Sequence, residues 1–118
     1  MRPFALAPGD GVSVDNPVGG VLTFKATSDQ TGGALTAVDT VAAPAEGPPL
    51  HVHSDEDEFI YIVAGTFRVQ IGNELIEATP GSFVFIPRGT AHTWQNVSDA
   101  PARFFAGVLG PPLAQSGQ

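Results

Sequence analysis

His51-Val52-His53-Ser54-Asp55-Glu56-Asp57-Glu58 sets two imidazoles and four carboxylates directly after the loop Gly47-Pro48-Pro49. Side chains alternate faces along a β-strand, so His51 and His53 point the same way, about 6.5–7 Å apart, and one ion can lie between them. Glu58 has the wrong parity for an unbroken strand. The four polar residues between His53 and Glu58 must therefore form a turn or bulge that resets the phase. After the reset, Glu58, Ile60 and Ile62 share a face. The only other histidine, His92, follows a second turn-rich segment, Pro87-Arg88-Gly89-Thr90-Ala91, so all three histidines are expected where strands begin.

Working outward, the C-terminal flank reads as short strands between turns. Glu58–Val63 is followed by Ala64-Gly65, and in Thr66–Ile71 the apolar Phe67, Val69 and Ile71 alternate with Arg68 and Gln70. Gly72-Asn73 is a two-residue hairpin signal of type II′, with glycine supplying the positive φ. Glu74–Ala78 returns, and Thr79-Pro80-Gly81 fits a type II turn with proline second and glycine third. Phe83–Ile86, His92–Val97 and Arg103–Leu109 complete the series, and the segment from Gly110 to Gln118 is expected to be a flexible tail. On the N-terminal side Val12–Val14, Val21–Phe24 and Leu35–Val41 are short strand candidates. Gly19-Gly20 and Gly32-Gly33 interrupt any helical spacing there. Ala42-Ala43-Pro44-Ala45-Glu46-Gly47-Pro48-Pro49 cannot extend a central strand, because proline offers no ladder N–H, and it reads as the loop that delivers His51. The expectation is an all-β, antiparallel sandwich or barrel in one domain spanning residues 1–118.

Composition narrows the classes further. At 118 residues with 42% apolar content the chain has enough core for one domain and too little for two. No 18-residue apolar window exists to cross a membrane as a helix. Residues 1–9 lack the apolar run of a secretory signal, and the chain has no cysteine, so a cytoplasmic protein is expected. Five basic against twelve acidic residues leave a net charge of −7, which repels phosphate backbones and anionic lipid, so neither nucleic acid nor a membrane is an expected partner.

Two spaced patterns give the chain a family resemblance. Gly81, Pro87, Gly89, His92 and Asn96 fill every fixed position of a glycine, five residues, Pro-x-Gly, two residues, His, three residues, Asn. His51, His53, Glu58 and Gly65 match His-x-His, four residues, Glu, six residues, Gly; the glycine expected to open that pattern at position 45 is alanine, and Gly47 stands two residues later. Together these resemble the two motifs of the cupins, which are jelly-roll, double-stranded β-helix barrels. The resemblance covers the half of the chain from 47 to 97. It implies that His51, His53, Glu58 and His92 bind one divalent transition ion: Fe, Mn, Ni, Co, Cu or Zn. Imidazole nitrogens and one carboxylate suit such borderline metals independently, and leave a site of about +1 charge that can hold an anionic oxygen. Asp57 is the rival to Glu58, since the motif allows three or four intervening residues. Glu58 is preferred because it leaves six residues to Gly65 and begins the inward face. Asp55, Glu56 and Asp57 are otherwise expected to be solvated turn residues, and Arg88 a solubilising charge.

Parity also suggests a pocket. If His92 points inward, Trp94 and Asn96 share its face, with Ile60, Val84 and Ile86 as the neighbouring walls. Phe59, Tyr61, Phe83 and Phe85 then face the other side, as a two-layer sandwich or a dimer interface requires. The segment from Pro48 to Gly65, with Pro87–His92, looks most like small cupins of the quercetin dioxygenase type. That resemblance implies dioxygenation of a small aromatic or enolic substrate, with Glu58 as the base. A non-redox cyclase or isomerase, or a metal-stabilised binding protein, fits the same residues. A homodimer is expected, with the apolar segment Phe4-Ala5-Leu6 crossing to a neighbour's sheet.

Overall fold

In the computed structural model, which describes residues 1–17 and 19–110, nine antiparallel strands build two facing sheets, with no helix among the described residues. The larger sheet runs in the order β1 (Val12–Asn16), β2 (Gly20–Ala26), β3 (Leu35–Ala42), β9 (Ala102–Leu109), β4 (Asp57–Ala64), β7 (Phe83–Ile86). The smaller is β6 (Glu74–Ala78), β5 (Phe67–Ile71), β8 (His92–Asn96). This is the jelly-roll sandwich expected of a cupin, open at its edges rather than closed into a hydrogen-bonded barrel. The expected tail lies outside the described residues from position 111; Gly110 itself is held, its N–H bonded to the Ala34 carbonyl at 2.7 Å.

Strand alternation sets the core. Ile60 and Ile62 from β4, Val84 and Ile86 from β7, and Phe104 and Ala106 from β9 point inward and meet Phe67, Val69 and Trp94 of the small sheet. Phe67, Trp94 and Phe104 form three edge-to-face ring pairs with centroids 5.0–5.7 Å apart, the geometry that aromatic quadrupoles favour. The turns follow their residues. Gly72 has φ 59° in the β5–β6 hairpin, and Gly81 has φ 92° in a turn closed by Ser82 N–H to Thr79 O at 2.9 Å.

His51-Val52-His53 departs from expectation. It forms no strand: only His51 pairs, in a single bridge to His92 with reciprocal N–H···O bonds of 3.0 and 2.8 Å. The prolines just upstream and the bend at Ser54-Asp55 leave too short a run to build a ladder. Among the described residues no helix is long and apolar enough to cross a membrane.

Candidate metal centre

Four side chains from three separate segments converge. His51 and His53 come from the loop after Pro49, Glu58 from β4 and His92 from the start of β8; one ligand atom of each lies within 4.8 Å of all the others. The bridge between His51 and His92 places their rings 4.4 Å apart, and the His53 ring stands 5.3 Å from each. The bend at residues 54–55 resets the phase as the parity required, bringing Glu58 Oε1 to 3.4 Å from His53 Nε2 and 3.0 Å from His92 Nε2. His92 and Glu58 are buried, whereas His51 and His53 are partly open.

The ring nitrogens are sorted by their backbone contacts. His51 Nδ1 lies 2.9 Å from Pro49 O and His92 Nδ1 lies 2.9 Å from Thr90 O. A carbonyl only accepts, so both Nδ1 atoms carry the proton and both Nε2 atoms are left for the centre. For His92 this has a consequence. Its Nε2 also faces the Glu58 carboxylate, an acceptor, so without an ion the pair must hold a second proton. Burial works against the charged imidazole, but the hydrogen bonds to Glu58 and to Thr90 O, with the Glu58 charge, outweigh it and raise the His92 pKa above its ordinary value. A cation would replace that proton. Two donors about 2.0–2.2 Å from one ion and about 90–110° apart are separated by about 3.0–3.5 Å, and the Glu58 contacts of 3.0 and 3.4 Å meet that condition. The residues present fit a divalent transition ion.

A clasp that the sequence did not reveal holds the loop in place. Asp57 is not a solvated turn residue, and Arg88 is not a free surface charge. Asp57 Oδ1 accepts from Arg88 Nε at 3.2 Å and from the Arg88 backbone N–H at 2.8 Å, Asp57 Oδ2 accepts from Nη2 at 3.1 Å, and Nη1 donates to Asp55 O at 2.9 Å. The hydrogen bonds from the Arg88 side chain, then from its backbone, hold the Asp57 carboxyl below its ordinary pKa. Gly89 N–H adds a bond to His53 O at 2.8 Å. The loop bearing His53 is thus fastened to the turn that precedes His92. Glu56 stays at the rim, 3.9 Å from His53 Nδ1.

A cavity of about 280 Å³ opens on the centre. His51, His53 and Glu58 line one end; Leu22, Phe24, Val38, Trp94, Phe104 and Val108 give apolar walls, with Asn16, Thr36 and Thr40 as polar points. Of the side chains expected to wall a pocket, Trp94 lines it. Ile60, Val84 and Ile86 lie in the packed core instead, because parity fixes which face a residue occupies and not how far along the strand the cavity extends. Asn96 has a different occupation: its amide donates to Ala42 O at 3.0 Å and Ala100 O at 2.9 Å, and its Oδ1 accepts from Ser98 N–H at 2.9 Å. It organises the β8–β9 turn. The walls that sequence reading missed come from β2 and β3, where Leu22, Phe24, Thr36, Val38 and Thr40 share the inner face at period two.

Comparison with known proteins agrees with this fold. The model of the family described as Cupin domain matches residues 38–108, and the chain belongs to that family. It is 33% identical over 85 residues to protein SchB of Streptomyces halstedii, covering 69% of this chain and 62% of that one. It is 30% identical over 61 residues, 52% of this chain, to the tetracenomycin polyketide synthase protein TcmJ of Streptomyces glaucescens, of which it spans 41%. The chain thus spans less than two thirds of either relative. Among solved structures, KdgF from Halomonas sp. superposes with a TM-score of 0.78 at 18% identity, over 92% of this chain and 94% of that one. An RmlC-like cupin from Shewanella frigidimarina gives 0.78 at 16%, over 98% and 96%. A predicted oxalate decarboxylase from Thermotoga maritima gives 0.76 at 18%, over 84% and 90%. At these identities the likeness is one of fold.

Proposed function

We propose that the chain is a metal-dependent dioxygenase acting on a small, flat aromatic or enolic molecule with one ionisable hydroxyl. The observation that supports this is a three-histidine, one-carboxylate cluster in a cavity lined by no lysine or arginine. All five basic side chains are placed elsewhere. Lys25 bonds Asp10 O, Arg88 holds Asp57, Arg103 holds Asp39, Arg68 is exposed on β5, and Arg2 lies at the N-terminal arm. A substrate with a second anionic group would have no partner for it in the cavity. One anionic oxygen on an otherwise neutral, apolar body of modest size fits better.

A bound ion would supply Lewis acidity and, where redox-active, electron exchange with dioxygen. The chain's own residues do the rest. Glu58 accepts the substrate's hydroxyl proton and returns it to the product. Trp94 and Phe104 exclude water and pack against the flat body, while Thr36 and Thr40 offer hydroxyls to its far edge. Both atoms of dioxygen enter the substrate, whose own bonds supply the electrons, so no external reductant is needed. Glu58→Gln should keep stoichiometric metal and lose turnover by about 100-fold or more. The assay is dioxygen consumption over a panel of flavonols and diketones with redox-active ions. No uptake with any of them would sink the proposal.

None of the proteins named above is called a dioxygenase, and the similarity to a polyketide synthase protein favours a second reading. Polyketides carry enolisable carbonyls, and the same Glu58 and cavity would serve a non-redox cyclisation or isomerisation. Product formed equally well without dioxygen would select that reading. Ligand binding with no product under air would make the chain a binding module.

A further inference from the structure

The polar points of the cavity are not equivalent. Thr36 shares a hydrogen bond with Ser28 Oγ at 3.3 Å. Thr40 is only 2% exposed, yet its hydroxyl has no hydrogen-bond partner among the described residues and opens on the cavity instead of being sealed in the core. Trp94 is alike: it is 8% exposed, and its indole N–H meets no acceptor among the described residues. The two flank one ring. Register sets Thr40 beside Phe104, and the Phe104 ring meets that of Trp94 edge-to-face at 5.0 Å. Packing alone does not account for Thr40. Its neighbours across the sheet are Leu22 and Phe104, and Val38, two residues back on the same face, shows that this face accepts valine. Valine has the shape of threonine and would bury no hydroxyl, whereas an unpaired hydroxyl in such surroundings destabilises the fold.

We infer that Thr40 and Trp94 form a specificity-determining anchor for a neutral carbonyl at the end of the substrate remote from Glu58; this rests on the reading above, that a flat molecule enters the cavity by one anionic oxygen. An indole N–H only donates, and a hydroxyl can donate beside it, so the ligand atom that serves both is an acceptor with two lone pairs. A carboxylate there would go uncompensated, because no lysine or arginine lines the cavity. A ketone, ester or amide oxygen remains. Register gives the span. Glu58 pairs with Val108 and Val108 with Thr36, so Thr40 lies four residues further along β3, roughly 13 Å at about 3.3 Å per residue. A rigid body of two or three fused rings bridges that span within a cavity of about 280 Å³. A site built to hydrogen-bond a substrate group discriminates against the analogue that lacks it, because its own polar atoms are then left unpaired.

The test is anaerobic binding of 6-acetyl-2-naphthol and 6-ethyl-2-naphthol to the zinc-loaded full chain, followed by their fluorescence. The two probes share the hydroxyl and the ring body and differ in one carbonyl oxygen. Thr40→Val should weaken binding of the acetyl compound about 5- to 10-fold and leave the ethyl compound unchanged. Comparing variant with wild type on both probes cancels the difference in their hydroxyl acidity. Trp94→Phe keeps a ring against Phe104 and should give a second loss confined to the acetyl compound. Because Thr40→Val removes an unpaired hydroxyl, its melting temperature without ligand should equal or exceed that of the wild type. A wild type that binds neither probe overturns the inference. So does a loss of equal size on both probes in either variant, no loss in Thr40→Val, or a Thr40→Val melting temperature several degrees lower, which would make the hydroxyl part of the fold. No readout involves dioxygen or turnover. A selective anchor in a protein that consumes no dioxygen would keep this inference and sink the dioxygenase reading.

Discussion

The ligand-bearing segments and the cavity walls are built by different means. Residues 47–58 and 87–92 have little ladder to hold them; their shape depends on individual bonds, namely the His51–His92 bridge, Gly89 N–H to His53 O and the Asp57–Arg88 clasp. The β2 and β3 walls are held by an antiparallel register that is indifferent to the side chains facing inward. Wall residues can therefore change size without disturbing the ligands, whereas one lost contact near the ligands moves a donor atom. A single fold with a fixed ligand cluster and a variable cavity follows from that division.

The strongest way to break the comparison is to remove donors. His51→Ala/His92→Ala should abolish stoichiometric metal, measured by elemental analysis, and leave the β2–β3 register and far-ultraviolet spectrum intact. One ion per chain in that variant would put the site elsewhere. Protons compete for the same atoms, and the signs oppose each other. Because the folded-state pKa of His92 is raised, its protonated form stabilises the metal-free protein fully below the unfolded pKa, about 6.5, and that contribution is lost as pH rises through the folded value. Metal needs the bare nitrogen. Between about pH 6 and 8 the melting temperature of metal-free protein should therefore fall while the increment given by metal grows. Parallel pH profiles for the two forms would contradict the pairing of His92 with Glu58.

A smaller effect isolates the clasp. Arg88→Ala removes the three guanidinium bonds but leaves the backbone N–H bond to Asp57. Metal affinity should fall by about 10-fold, the low end for residues that orient ligands through others. Arg88→Lys should recover only part of it, because an ammonium cannot reproduce the forked contact. Competition with a chelator measures the affinity, and the visible spectrum of the cobalt-loaded protein reports the donor geometry. Unchanged values in both would show that the backbone bonds alone hold the loop.

Much of this was legible in the sequence, for identifiable reasons. Period-two alternation and glycine- or proline-marked turns located the nine strands, and fixed spacings located His51, His53, Glu58 and His92, because each depends on residues close together in the chain. Asp57 and Arg88 are 31 residues apart and meet only once the strands have paired, so no local pattern announces them. The cavity walls were missed for a related reason: β2 and β3 face the ligands across the sandwich, and alternation cannot tell which part of an inner face is packed and which is hollow.

The smallest effect concerns the one motif position that the chain does not keep. Where the first cupin motif opens on glycine, Ala45 has φ 71°, so the left-handed backbone survives though the glycine has gone. Its N–H bonds Asn96 O at 2.9 Å, and Asn96 N–H returns a bond to Glu46 O at 2.9 Å, which fastens the loop to β8 and keeps the strain in place. That conformation costs a non-glycine residue about 1–2 kcal/mol, and glycine forfeits about 0.4–1 kcal/mol through the freer unfolded chain. Ala45→Gly should therefore gain about 0.5 kcal/mol, raising the melting temperature by about 2 °C, with metal affinity unchanged. Gly47 is the opposite case: a Cβ there would lie 2.0 Å from Trp94 O, backbone that cannot yield without shifting β8, so Gly47→Ala should weaken folding and metal binding together. If instead Ala45→Gly lowers the melting temperature, the alanine is not strained, and the loop's path to His51 is set by Gly47 alone.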